Sequence, residues 1–157
     1  MKYDKKQSFT IFEVQKKLEY YCAYQDRCHI EVIRKLKNLG IISSAIDIIV
    51  THLIERNFLN ETRFAQSFAR GKFRIKKWGK RRIINELKSR QISNYNIKLG
   101  LKEISETEYK KTFDDLFEKQ MKEVANLPKI VQKRKIISYL AYRGWEKEKI
   151  YRALNEY

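Results

Sequence analysis

The chain repeats itself. Ile33, Leu36, Gly40, Ile41, Ile46, Val50 and Leu53 recur 51 residues later as Ile84, Leu87, Gln91, Ile92, Ile97, Leu101 and Ile104. A further 53 residues on, the same columns hold Ile137, Leu140, Gly144, Trp145, Ile150, Leu154 and Tyr157. Every spacing inside the unit is kept. A period near fifty residues marks an array of one supersecondary unit, each copy burying its apolar face against its neighbours. Such an array predicts an elongated body whose continuous side surface suits a large partner.

The period inside each unit is helical. Ile46, Ile49, Val50 and Leu53 fall at i, i+3, i+4 and i+7, one face of a helix. Ile97, Leu101 and Ile104 repeat the pattern, Tyr109, Phe113, Leu116, Val124 and Leu127 extend it, and Phe64, Phe68, Gly71 and Ile75 make another seam. One proline and five glycines in 157 residues leave little punctuation for a β-protein. The expected fold is therefore all-α, a tandem array of three three-helix repeats. The first covers 1–57 with a short N-terminal tail, the second 58–105 and the third 106–157. The helices are expected over 9–25, 28–39 and 44–56, then 61–77, 80–90 and 94–104, then 106–126, 128–143 and 147–156.

Start and stop signals support these breaks. Ser44 with Asp47, and Ser105 with Glu108, have capping-box spacing. Asn60 and Ser93 suit N-caps, and Pro128 suits a first helical turn, where its missing N–H costs nothing. Gly40 and Gly144 stand where a helix ends on a left-handed residue. Gln91 holds the same column, either in that conformation at a cost of about 1 kcal/mol or in a different turn. In each repeat a short helix, a glycine-type turn and a second short helix resemble a helix-turn-helix. That arrangement serves as a packing motif as readily as a DNA reader.

The charge balance points to an anionic partner. Formal net charge is +16, with 34% of residues charged and 43% apolar. The densest cluster is Arg70, Lys72, Arg74, Lys76, Lys77, Lys80, Arg81, Arg82, Lys88 and Arg90, set against one acid, Glu86, and interleaved with Phe73 and Trp78. Lysine and arginine neutralise phosphates, and an aromatic side chain stacks on a base or packs on a partner. Lys129, Lys133, Arg134 and Lys135 form a second patch, and Arg34, Lys35 and Lys37 a third. Glu103, Glu106, Glu108, Asp114, Asp115, Glu118 and Glu123 make residues 103–123 more acidic, which reads foremost as a solvated helix face, with contact to a basic partner or a neighbouring unit as the alternative.

Catalytic chemistry is hard to assemble from this chain. His29 and His52 are the two histidines. Cys22, Cys28 and His29 lack a fourth ligand and a paired zinc spacing, so no metal site is expected and the cysteines read as small buried apolar residues. No G-x-x-x-x-G-K-[ST] or G-x-G-x-x-G loop offers a nucleotide cradle, so no cofactor is expected. Asp114 and Asp115 are adjacent on a helix and diverge. Two cysteines are too few for a disulfide framework, and free thiols in a reducing cytoplasm fit best. No apolar stretch follows Met1–Lys6 to suggest a secretory signal. No apolar run approaches the roughly 18 residues of a membrane span.

The stretch Phe58-Leu59-Asn60-Glu61-Thr62-Arg63-Phe64-Ala65, then Phe68, Arg70, Gly79, Arg82-Ile83, Glu86-Leu87 and Ile92, resembles the RecX family of regulators of the RecA recombinase. The resemblance covers about residues 12–157 and is strongest over 53–92. Gln91 departs from it where the family usually has glycine. The resemblance implies a cofactor-free, non-catalytic protein of tandem three-helix units. Apart from the resemblance, the cysteine usage points to the cytoplasm, no segment calls for a membrane, and the array is able to fold as a monomer, with the oligomeric state left open. The partner that the resemblance implies is the RecA filament on single-stranded DNA, whose recombinase and coprotease activity the protein restrains in DNA repair and the SOS response. Double-stranded DNA is a further candidate ligand, and a helix-turn-helix-like protein acting directly on nucleic acid is the alternative.

Within the motif, Phe64, Phe68, Ile83 and Leu87 occupy helix seams. Arg70, Arg74, Lys76, Lys77, Lys80, Arg81 and Arg82 are the expected contacts with acidic filament surfaces or DNA. Trp78 is the aromatic candidate, and Lys133 and Arg134 join from the second patch. Arg63 stands between pairing with an acid such as Glu61 or Glu86 and facing a partner.

Overall fold

The computed structural model describes residues 8–157. The N-terminal stretch read above for a secretory signal lies outside the described residues. Among them are nine helices and no strand. α1 (Ile11–Tyr24), α2 (His29–Asn38) and α3 (Ser43–Glu55) make the first triplet. α4 (Glu61–Lys76), α5 (Lys80–Ser89) and α6 (Asn94–Leu101) make the second, and α7 (Glu106–Glu123), α8 (Lys129–Tyr142) and α9 (Lys147–Asn155) the third. The pairs α2/α3, α5/α6 and α8/α9 each pack together, so the three-helix repeat is present in contacts as well as in sequence.

The repeat is sharpest in its turns. Gly40 (φ 77°), Gln91 (φ 57°) and Gly144 (φ 91°) are all left-handed. Ile41 N–H donates to Leu36 O at 3.1 Å, Ile92 to Leu87 O at 3.1 Å and Trp145 to Leu140 O at 3.1 Å. One residue earlier, Gly40 donates to Lys37 O, Gln91 to Lys88 O and Gly144 to Ala141 O, at 2.9 to 3.0 Å. These are three copies of the Schellman pair of bonds. The departure at Gln91 is therefore one of residue type, with the turn retained.

Several local expectations need correction. α3 begins behind Ile42, with no side-chain cap, so Ser44 and Asp47 form no capping box. The repeat column explains this: Ile42 aligns with Ser93 and Glu146, which are the N-caps of α6 and α9. Pro128 is the residue before α8 rather than in its first turn. Ser105 accepts from Glu108 N–H at 3.1 Å, but the glutamate returns to the serine hydroxyl and the box is half-formed. Asn60 and Ser93 do cap, accepting from Arg63 N–H at 2.9 Å and Asn96 N–H at 3.2 Å. α6 ends at Leu101, leaving Ile104 buried in the turn beyond it.

The seams shift too. On α4 Phe64 is buried as expected, but the buried line continues through Ala65, Ala69 and Phe73, while Phe68 is half-buried, Gly71 is not buried and Ile75 is 78% exposed. On α7 Phe117 and Gln120 are buried in place of Leu116.

The chain divides into two compact units, Met1–Phe64 and Ala65–Tyr157. The first has an aliphatic core of Val14, Leu18, Val32, Leu36, Ile46, Ile49, Leu53 and Leu59, with Cys22 among them. Burial raises the Cys22 thiol pKa to about 11, which keeps it protonated and unreactive.

The second unit is built on aromatic rings. Phe73, Tyr109, Trp145, Phe113, Phe117 and Tyr157 follow one another with centroids 4.5–6.0 Å apart. Gly100 lets α6 lie against α4, since a Cβ there would stand 2.7 Å from Ala65 O.

Candidate functional site

The basic cluster of residues 70–90 lies on the end of α4, the link after it, and α5. Gly79 opens α5 with no side-chain cap. Its first N–H groups are satisfied from the third triplet instead. Gly79 donates to Arg143 O at 2.8 Å, Arg81 to Gly144 O at 3.1 Å and Lys80 to the Tyr109 hydroxyl at 3.0 Å. A Cβ on Gly79 would overlap the Gly144 backbone, and one on Gly144 would overlap Arg82, so the two glycines permit this approach. Lys77 is left-handed (φ 58°), and its carbonyl accepts from Trp145 Nε1 at 3.1 Å. The Tyr109 hydroxyl donates to Glu146 at 2.7 Å. Burial, reinforced by that carboxylate, pushes the phenol pKa far above its ordinary value.

This docking consumes much of the positive charge. Lys80 Nζ sits 2.6 Å from Glu106 and over the Tyr109 ring at 4.4 Å, and its hydrogen bond holds the Glu106 carboxyl below the usual range. Arg70 pairs with Glu103 at 3.3 Å, Arg74 reaches Glu108 at 3.8 Å, and Arg90 pairs with Glu86 at 2.9 Å. The acidic residues at and before the start of α7 therefore neutralise part of the strip, where a solvated face was expected. Farther along α7, Asp114 and Asp115 do pair locally with Lys110 and Lys111.

Trp78, half-buried, has two cations against its ring. Arg82 lies over it at 4.2 Å and over Tyr142 at 4.8 Å, and donates to Tyr142 O at 3.2 Å. Lys72 lies over Trp78 at 5.1 Å and Phe68 at 5.5 Å. Its ring is thus occupied from within the chain.

What stays available is a smaller set. Lys76, Lys77 and Arg81 are exposed and have no ion pair among the described residues. Lys133 and Arg134 are exposed on α8, whose opposite end meets α5. Arg63 is structural. Its Nε pairs with Asp26 at 2.8 Å, rather than with Glu61 or Glu86, and Nη2 donates to Asn57 O and Phe58 O.

Both histidines of the first unit face carboxylates, His52 with Glu19 at 2.8 Å and His29 with Glu61 at 3.2 Å. Among the described residues no group of three or more His, Cys, Asp or Glu is placed to hold a metal ion, and no helix is long and apolar enough to cross a membrane.

Residues 60–101, which carry Gly79 and the free cations, match the family model for the second three-helix domain of RecX. That stretch is therefore similar to a RecX domain. The Regulatory protein RecX of Lactobacillus johnsonii is 34% identical over 89 residues, covering 57% of this chain and 33% of that protein. The chain thus matches about a third of the length of its Lactobacillus relatives. Regulatory protein RecX of Pseudomonas fluorescens is 27% identical over 147 residues, 93% of this chain and 92% of that one. The crystal structure of RecX from Lactobacillus salivarius superposes with a TM-score of 0.79 at 22% identity, over 94% of this chain and 97% of that one. A second RecX crystal structure gives 0.78 at 19% identity. The shared RecX architecture is the array of three-helix repeats.

Sequence reading missed one feature of the first unit. Tyr20 and Tyr24 stand exposed on α1 beside Lys16, Lys17, Arg27 and Lys35. The signal was present as tyrosines one helical turn apart among lysines, but it is weak beside the charge of residues 70–90.

Proposed function

We propose that this protein is a non-catalytic regulator that binds the RecA filament on single-stranded DNA and restrains its recombinase and coprotease activity. The supporting observation is the RecX second three-helix domain at 60–101, which leaves Lys76, Lys77 and Arg81 exposed and unpaired on its surface. Lys133 and Arg134 are proposed as secondary contacts. Arg70, Arg74, Lys80, Arg82 and Trp78, each engaged within the chain, border that surface. The three repeats, 1–57, 58–105 and 106–157, contact several filament subunits and gain avidity without any single strong contact. The protein acts as a cytoplasmic monomer.

The test is the ATPase rate of the cognate recombinase on single-stranded DNA with the protein titrated in below stoichiometry. A fall in rate that survives excess DNA supports action on the filament. A fall that vanishes under excess DNA both for this protein and for a folded variant that no longer binds free DNA means competition for DNA and overturns the proposal.

One observation favours a second reading. Arg81, Asn85 and Lys88 are exposed at i, i+4 and i+7 on α5 and could meet base edges in a duplex groove. A sequence preference in duplex binding would support it, whereas sequence-blind, salt-steep binding would not.

A further inference from the structure

The first unit carries an aromatic and cationic groove that the basic strip of the second unit does not explain. Its volume is about 540 Å³, and its lining contains four cations and three tyrosines with no acid. Tyr20 and Tyr24 are one turn apart on α1, 73% and 75% exposed, with centroids 6.4 Å apart and planes inclined by 29°. Large rings left this open lose nothing from the core by their position, because the core side of α1 is filled by Val14, Leu18 and Cys22.

Behind the pair, the Arg27 guanidinium lies 3.9 Å from the Tyr21 ring and is fixed by a bond from Nε to Tyr21 O at 3.2 Å. Lys35 of α2 approaches the same ring at 5.7 Å. Lys17 lies over Phe9 at 4.8 Å. The nearby carboxylate, Glu19, is taken up by His52 at 2.8 Å and Lys16 at 3.3 Å.

From this geometry we infer that the α1–α2 groove binds single-stranded nucleic acid, stacking bases on Tyr20 and Tyr24 while Lys17, Arg27 and Lys35 face the phosphates. Exposed rings supply the sequence-blind stacking platform and the surrounding cations hold the backbone. A duplex presents no free base faces to stack. A second copy of this chain is disfavoured because each copy would bring four like charges to the contact. A naked-strand site would let excess DNA draw the protein from the filament, so Tyr20→Ala/Tyr24→Ala separates the two readings: its inhibition should survive excess DNA if the filament reading holds.

The test uses the full chain and fluorescence anisotropy with a labelled oligothymidylate and an abasic strand of equal length, with no recombinase present. Wild type is expected to favour the base-bearing strand. Tyr20→Ala/Tyr24→Ala, whose rings lie outside the core, should keep the wild-type melting temperature and lose about tenfold or more in affinity per ring. Tyr20→Phe/Tyr24→Phe should retain binding. Lys17→Ala/Lys35→Ala should flatten the dependence on salt. Equal binding of both strands by wild type, or unchanged affinity in the folded double-alanine variant, would overturn the inference. So would sedimentation showing that the tyrosine pair holds two copies of the chain together.

Discussion

The two units use aromatic side chains in opposite ways. In Met1–Phe64 the core is aliphatic, and Tyr20 and Tyr24 stand outside it among cations. In Ala65–Tyr157 the rings of Phe73, Tyr109, Phe113, Phe117 and Trp145 are buried in the interior, and cations are laid against some of them and against acids. Charge density along the sequence is therefore a poor guide to charge available for binding. The second unit has the richer basic run, yet Lys80 and Arg82 are tied to its other helices and Arg70 and Arg74 are partly neutralised by Glu103 and Glu108. The first unit has fewer cations, but several of them border an open groove.

The comparison can be broken most severely at Trp145, which is 1% exposed and joins the aromatic chain to the α4–α5 link. Trp145→Ala should cost about 3–5 kcal/mol in denaturant unfolding. Gly144→Ala should cost about 3 kcal/mol, combining a left-handed alanine with an overlap on Arg82. A loss below about 1 kcal/mol in either would show that the aromatic interior is not what stabilises the second unit.

Charge reversal separates structural cations from available ones. Lys76→Glu/Lys77→Glu/Arg81→Glu should leave the melting temperature near wild type while weakening filament inhibition tenfold or more, about 1.4 kcal/mol. Lys80→Glu/Arg82→Glu should lower the melting temperature instead. Unchanged inhibition by the first variant would remove Lys76, Lys77 and Arg81 from the interface.

Gln91→Gly should stabilise by about 0.5–1 kcal/mol, because the left-handed turn remains and its side-chain penalty goes.

The smallest expected effect concerns Glu19, whose pKa is lowered chiefly by its hydrogen bond to His52. A depressed carboxylate contributes stability above its unfolded pKa of about 4.5 and loses it as pH falls through the lower folded value. Acid titration of Glu19→Gln should therefore show a shallower decline below about pH 4.5 than wild type. An identical decline would show that the pair does not contribute.

The repeat, its helical content and the left-handed turns at Gly40 and Gly144 were legible from sequence because they depend on local backbone chemistry and on apolar period, whereas the turn at Gln91 was left open by its side chain. Leu36–Ile41, Leu87–Ile92 and Leu140–Trp145 make the same short-range bonds, each within six residues of chain. Even the start of α3, misplaced at Ser44, could be read from the column shared by Ile42, Ser93 and Glu146. The partners of the cations could not. Arg63 meets Asp26, 37 residues away, and Arg82 meets the carbonyl of Tyr142, 60 residues away. No local spacing encodes such pairs. The second arises where Gly79 and Gly144, lacking Cβ atoms, let two backbones approach closely enough to bond. Sequence alone set the helices, the turns and the sign of the charge; tertiary packing decided which charges stay free, because an ion pair depends on distance through space rather than along the chain.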